Sequence, residues 1–190
     1  LTGVAGTDFH RGGALHGRLT GVDRWVIAVP GDRTRKGSLE QMRAHLLNEL
    51  SQGRAQVLAD ARVPTRVSLT LGLDGMHYQI GDTIDLGAHQ ATEGFLKVQV
   101  ADPRGGWLVL IRDGQRWGES IPLPTAPNVT VTRRMPINSR GYLRAEIMRD
   151  DRSGSQEVLT NPIYWTHREV TATAKVRGRE VQVTFAGPKK

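Results

Sequence analysis

Cysteine is absent from this 190-residue chain, and no long apolar run occurs in it. Without cysteine the chain can build neither a disulfide framework nor a thiolate metal site. Its apolar stretches fall far short of the roughly 20 residues that a membrane-spanning helix needs, so we expect no membrane partner. The chain is 38 % hydrophobic and 24 % charged, which is typical of a globular, soluble protein.

Acidic residues are in the minority, because 26 lysines and arginines face 19 aspartates and glutamates and leave a net charge of +7. A basic balance invites a nucleic-acid interpretation. The basic residues are scattered, however, and the terminal pair Lys189-Lys190 is too short to form a binding arm. Arginine also outnumbers lysine, which is more typical of a GC-rich genome than of a DNA-binding face. We therefore expect no nucleic-acid partner, and a bacterial protein that is cytoplasmic or exported.

The first third of the chain shows strands alternating with a helix. Apolar strands are predicted at residues 24–30 and 54–59. Between them, Ser38 and Gln41 form a capping box that predicts a helix start, and Gly53 is well placed to end the helix. The helix carries one apolar stripe: Leu39, Met42, Leu46 and Leu50. A strand, a helix and a second strand in this order favour an α/β unit.

Beyond Pro64, apolar and polar residues alternate with a period of two, which predicts β-strands. The segments are RVSLTLGL, FLKVQV, WLVLIRD, NVTVTRRM, GYLRAEIM and VLTNPIYW, and a final hairpin turns at Arg177-Gly178. Turn signals such as Asp74-Gly75 and Asp113-Gly114 separate them. We predict an antiparallel β-sandwich over residues 65–190, with a domain boundary near residues 61–65.

Aromatic residues in the predicted strands allow two interpretations. As an exposed row they would form a platform for carbohydrate, whereas as a buried row they would fill the sandwich core, which is the interpretation we favour. The residues concerned are Trp107, Trp117, Tyr142, Tyr164 and Trp165. Asp74 and Asp82 are interpreted as hairpin-turn residues rather than calcium ligands. His77 and His89 share no spacing that indicates a site.

The segment GTDFH, residues 6–10, places an aspartate and a histidine two residues apart. On an extended segment Asp8 and His10 project to the same side, where they could hold a divalent metal such as Zn²⁺, Mn²⁺ or Fe²⁺. Arg11 and Arg18 could bind an anionic substrate, and His16 could approach the mouth of the site. Taken alone, the motif is more often a surface turn in which Asp8 accepts backbone N–H groups.

Residues 2–60, from GVAGTDFH through the capped helix to LSQGRAQVLAD, resemble the C-terminal end of a PHP domain (the polymerase and histidinol phosphatase superfamily). The similarity is to the branch that includes carbaryl hydrolase, in which a β-sandwich often follows the barrel, as GYLRAEIMRD and VLTNPIYW also indicate. The resemblance implies that residues 1–61 are the α/β end of a distorted (β/α)₇ barrel, and that residues 65–190 form an appended all-β, sandwich-like domain.

The resemblance also implies a chemistry, in which Asp8 and His10 are metal ligands and catalytic residues. A metal-activated hydroxide would attack a phosphate, carboxyl or carbamate ester of a small-molecule substrate. The metal-ligand set is incomplete, since a PHP site needs an early His-x-His pair and the six histidines here form none. We therefore expect a weak or inactive piece of a metallohydrolase, partnered by a missing N-terminal half or by a second copy. The alternative is a β-sandwich binding or assembly module without catalysis.

Overall fold

The computed structural model describes residues 26–30, 37–59, 62–137, 140–149, 156–166, 171–177 and 180–186. Within these ranges the chain forms fifteen β-strands, one α-helix and one short 3₁₀ turn. No helix in the described ranges is long and apolar enough to cross a membrane. The fold class of this part of the chain is all-β.

The elements follow one another along the chain, and their labels are used below. They are β1 Val26–Ala28, α1 Leu39–Ser51, β2 Gln56–Leu58, β3 Arg66–Leu73, β4 Met76–Gln79, β5 Thr83–Asp85, the 3₁₀ turn Leu86–Ala88, β6 Glu93–Ala101, β7 Trp107–Arg112, β8 Gln115–Arg116, β9 Ile121–Pro122, β10 Asn128–Pro136, β11 Gly141–Met148, β12 Gln156–Thr160, β13 Ile163–Thr166, β14 Thr171–Arg177 and β15 Glu180–Ala186.

Two sheets enclose a shared core. The larger has nine strands, with the order β1-β2-β12-β11-β13-β5 and with β7 pairing to β11, β8 and β9. The smaller has the order β10-β6-β3-β4. Inward side chains of β3 and β6, such as Leu71 and Val98, join those of β11, such as Leu143, in one apolar cluster. Polar residues alternate with these inward residues along β6, so the smaller sheet has one buried and one exposed face.

The alternation in the sequence predicted the strands beyond Pro64 correctly. The six segments correspond to β3, β6, β7, β10 and β11 and to the pair β12 and β13, which a bend at residues 161–162 separates. The turn residues Asp74 and Asp113 have positive φ angles of 49° and 51°, and each precedes a glycine of positive φ. The final hairpin is confirmed too, since β14 and β15 form a two-stranded sheet in which Arg177 is opposite Glu180.

The predicted α/β class is wrong, because the strands that flank α1 are neighbours and antiparallel. Val26 of β1 is opposite Leu58 of β2, and β2 pairs antiparallel with β12. A (β/α)₇ barrel end would instead need parallel strands joined by helical crossovers. The order strand, helix, strand is the same in both arrangements, so it does not reveal the direction of pairing. The first two described strands extend the edge of the larger sheet.

Helix α1 begins and ends as predicted, but its apolar stripe does not lie against the described core. Ser38 and Gln41 form the capping box, and Gly53 has a φ of 71°. Leu39 is 80 % exposed and Met42 is 52 % exposed. The end of the helix is held instead through its backbone, because the Asn161 side-chain amide donates to the Gly53 carbonyl at 2.9 Å.

Candidate functional site

The predicted metal and substrate residues lie outside the described part of the chain. All five fall within residues 1–25, which are outside that part: Asp8, His10, Arg11, His16 and Arg18. Among the described residues, no group of three or more histidine, aspartate or glutamate side chains could hold a metal ion. The metal site therefore stays a prediction, and chemistry in the described residues has to be sought elsewhere.

The predicted aromatic row does not form an exposed platform. Trp165 is 1 % exposed and belongs to the core, while the other four are half-buried. Among the phenylalanine, tyrosine and tryptophan side chains that the structure describes, Phe95 is the exposed one, at 62 %. It stands in β6 in the same register as Glu93, Lys97 and Gln99, which all point away from the core. The sequence could have indicated Phe95, because it is an aromatic residue at a position of an alternating strand where a polar residue is expected.

We call the exposed side of the smaller sheet the outer face, and its members are aligned in rows across the strands. The first row is His77, Gly72, Phe95 and Arg134; the second is Gln79, Thr70, Lys97 and Thr132; the third is Ser68, Gln99 and Thr130. Hydroxyl, amide and basic groups predominate in these rows. The outer face thus offers hydrogen-bond donors and positive charge around one exposed aromatic ring.

Arg134 and Lys97 give the outer face its positive charge. The Arg134 guanidinium carbon lies 5.4 Å from the Phe95 ring centroid, a cation–π distance. Glu93 is its acidic neighbour, 3.8 Å away, but both side chains are exposed and such pairs are weak. No carboxylate of the described residues lies within ion-pair distance of Lys97. The positive charge of Lys97 is therefore not neutralised by a described carboxylate and could attract an anionic ligand.

Gly72 lies between Phe95 and His77 in the first row, and the His77 ring lies over it. A Cβ atom built on Gly72 would lie 3.5 Å from His77 Nδ1 and 3.7 Å from the Phe95 carbonyl, both ordinary contact distances. Its φ angle is not positive, so the backbone does not require glycine here. Glycine inside a strand weakens the strand and often marks close approach of another molecule.

A second concave feature, the edge groove, runs beside the half of β3 that β4 does not cover. Strand β4 pairs with β3 from Thr70 to Leu73 and does not extend along the first residues of β3. The groove has a volume of about 860 Å³, and Gln56, Ser68, Gln79 and Pro30 are among its lining residues. Its size falls within the range of ligand sites.

The third feature is a chain of hydrogen bonds at the β3–β4 turn. The Tyr78 hydroxyl lies 2.7 Å from His89 Nε2, and His89 Nδ1 lies 3.2 Å from Asp74 Oδ2. Asp74 Oδ2 also accepts from the backbone N–H groups of Gln90 and Ala91, at 2.8 and 3.2 Å. Because the carboxylate only accepts, we assign the histidine proton to Nδ1, so Nε2 accepts from the tyrosine.

The pKa shifts of Asp74 and Tyr78 favour a structural role for these hydrogen bonds. The N–H groups of Gln90 and Ala91, followed by His89, hold the pKa of Asp74 below its ordinary value. Burial, together with the charges of Asp82 and Asp74, raises the pKa of Tyr78. A phenol that keeps its proton is a poor nucleophile, so the three side chains fasten the turn to the segment that follows the 3₁₀ turn. Sequence reasoning missed them because Asp74 and His89 are 15 positions apart.

We expect the stability that the Asp74 hydrogen bonds contribute to be lost at acid pH, where the carboxylate becomes protonated. A depressed folded pKa stabilises the protein above the unfolded value of about 4, and that stability is lost as pH falls through the folded pKa. Asp74→Asn should therefore lower the urea midpoint at pH 7 and flatten its decline between about pH 4 and pH 2. Tyr78→Phe is the control, since it keeps the carboxylate and should follow the wild-type acid profile. An unchanged acid slope in Asp74→Asn would contradict this assignment.

Comparison with known proteins gives no matching family model, no matching curated protein and no matching solved structure, so the function of this chain has to be argued from its geometry.

Proposed function

We propose that this chain is a non-catalytic β-sandwich binding module whose outer face takes an acidic polysaccharide. The observation that carries the proposal is the position of Phe95, an exposed ring in the register of the polar and basic residues of β6. Aromatic side chains are enriched at binding interfaces relative to the rest of a protein surface.

The ring of Phe95 suits a sugar ring. Aromatic faces carry partial negative charge and attract the C–H groups on the apolar side of a pyranose. Gly72 has no side chain and lies between Phe95 and His77 in the same row, so the His77 ring is placed to contact the sugar at its edge. A saccharide unit stacked on Phe95 would therefore also be held at its edge.

The charges and the length of the face favour an acidic polymer over a single neutral sugar. Lys97 and Arg134 are placed to bind carboxylates, and threonine hydroxyls and glutamine amides lie beside them to bind sugar hydroxyls. From Phe95 to Gln99 the outward positions of β6 extend over about 13 Å, at the ordinary rise of a strand. Several units of a chain can lie along that distance.

The test is binding of polygalacturonate, with dextran as the uncharged comparison, measured by affinity electrophoresis and isothermal titration calorimetry. We expect retention by polygalacturonate alone, and a Kd raised about tenfold or more in Phe95→Ala and in Lys97→Ala, which corresponds to a loss of about 1.4 kcal/mol each. Leu47→Ala and Arg149→Ala are matched controls, because they remove an exposed leucine of α1 and an exposed arginine that pairs with Glu157 of β12. Absence of binding, or equal losses in all four variants, would refute the proposal.

The metallohydrolase predicted from GTDFH is the second candidate, and it has a separate test. Asp8 and His10 would supply two ligands of a divalent metal whose bound hydroxide performs hydrolysis. Elemental mass spectrometry after dialysis against metal-free buffer measures the metal content of the wild type and of His10→Ala. Stoichiometric metal that is lost in His10→Ala would support this candidate, and a metal-free wild type would reject it for this chain.

A further inference from the structure

The outer face of the smaller sheet continues beyond its third row. Two residues further along the sheet, the strand register adds a fourth row, which consists of Arg66, Ala101 and Asn128. All three residues line the edge groove, and so do Ser68 and Gln99 of the third row. The edge groove is therefore the end of the outer face rather than a separate cavity, and a polymer that lies along β6 runs into it.

The edge groove encloses this end of the outer face with residues of the other sheet. Ala28 of β1, together with Val29 and Pro30 that follow it, lines the groove beside the fourth row, although β1 belongs to the larger sheet. Ala101 has the smallest side chain of its row, so the floor is lowest there. The volume of about 860 Å³ accommodates a sugar unit, whereas the earlier rows offer an open surface.

Gln56 brings hydrogen-bond donors to the groove. It is only 7 % exposed, and its amide oxygen is fixed because it accepts from the Val67 N–H at 2.9 Å. The same amide carries two N–H donors on Nε2, which have no hydrogen-bond partner in the part of the chain that the structure describes. Donors of a buried side chain cost free energy unless water or a ligand accepts from them, and a sugar hydroxyl is a suitable acceptor.

Asp102 is the acidic residue among those that line the groove. It follows Ala101 directly, is exposed, and has a positive φ angle of 54° where β6 ends. Its carboxylate can accept from the hydroxyl that ends a sugar chain, but it repels a further acidic unit. Lys97, two rows earlier on β6, attracts acidic units instead. This change of charge along β6 favours a polymer that stops in the groove.

We propose that the edge groove binds the terminal unit of the acidic polysaccharide, so that the protein recognises chain ends rather than internal segments. This inference rests on the proposed function, because the polymer reaches the groove along the outer face. Gln56 Nε2 and the side-chain amides of Gln79 and Asn128 are placed to donate to hydroxyls of the terminal unit. The Asp102 carboxylate accepts from the hydroxyl at which an internal unit would carry its next glycosidic bond.

The test is the number of protein molecules bound per sugar chain, measured by isothermal titration calorimetry with galacturonate oligomers of about six and about twenty units. The rows from Phe95 to Ala101 extend over about 20 Å, so several proteins could share the longer chain if internal segments were bound. Recognition of one chain end instead predicts a single protein on either oligomer. Several proteins per long chain would overturn this inference and leave the polysaccharide proposal standing, whereas no binding of either oligomer would refute both.

Two variants of the groove test the assignment by residue. Ala101→Phe fills the floor and should raise the Kd for the shorter oligomer about tenfold or more, while Ala44→Phe, the same change at an exposed position of α1, should bind like the wild type. Asp102→Asn keeps a residue that tolerates positive φ but removes the repulsion, so more than one protein should bind the longer chain. Wild-type affinity in Ala101→Phe, or a single protein per long chain in Asp102→Asn, would each contradict the proposal.

Discussion

Replacing Gly81 with alanine should destabilise the fold by about 3 kcal/mol or more, the largest effect we expect from one added methyl group. A Cβ atom at this position would lie 2.1 Å from the Gln52 carbonyl oxygen and 2.6 Å from the carbonyl carbon of Gly53. Both neighbours are backbone atoms at the end of α1, so neither can move without shifting the helix. The φ angle of Gly81, +89°, adds backbone strain for any residue with a side chain.

Gly75→Ala separates the steric clash of the added methyl group from the backbone strain at positive φ. Gly75 has a similar φ angle of +79°, but nothing lies within 4 Å of the place that an added methyl group would take, so alanine there should lose only about 1–2 kcal/mol. Urea unfolding of the two variants and the wild type measures the difference directly. Equal losses would mean that the close approach between the end of α1 and the β4–β5 turn is absent in solution.

Trp165→Ala should lower the free energy of unfolding by about 3–5 kcal/mol, because it removes the largest fully buried side chain of the core and leaves a cavity. Trp165 lies in β13 opposite Gly141, and the Arg112 guanidinium is 5.5 Å from its ring centroid. Its indole nitrogen is buried without a hydrogen-bond partner among the described residues.

That unpartnered nitrogen makes Trp165→Phe the informative comparison. Phenylalanine keeps most of the apolar volume and removes a buried N–H group that gains nothing from its surroundings. We expect less than about half the loss of the alanine variant in urea unfolding. A phenylalanine variant as unstable as the alanine variant would show that the indole N–H has a partner in solution.

The strands beyond Pro64 were predictable because each shows its own alternation of apolar and polar residues. The burial of β6 alternates as its sequence does, so Leu96, Val98 and Val100 could be assigned to the core without any knowledge of their partners. The capping box of Ser38 and Gln41 is equally local. The local pattern does not contain the direction of pairing, and for that reason β1, α1 and β2 were assigned to an α/β unit.

The candidate sites depend on pairing between distant segments, which a single sequence does not specify. Phe95, Gly72 and His77 become neighbours only through the register of β6, β3 and β4. The edge groove requires that β2 meet β3 through the Gln56 side chain. Asp8 and His10, by contrast, were identified from positions two residues apart in the sequence. They lie outside the described residues, so the metal measurement is the test of that prediction.

The pairing of β2 with β12 has a consequence for how the molecule reaches its folded state. Gly53 and Asn161, which join the helix end to the bend after β12, are 108 positions apart. Such contacts give the fold a high contact order, and folding on the millisecond-to-second scale is typical of chains of this kind. During synthesis, β2 cannot pair with β12 until β12 has left the ribosome. Until then the edge of β2 is unpaired and can associate with other nascent chains.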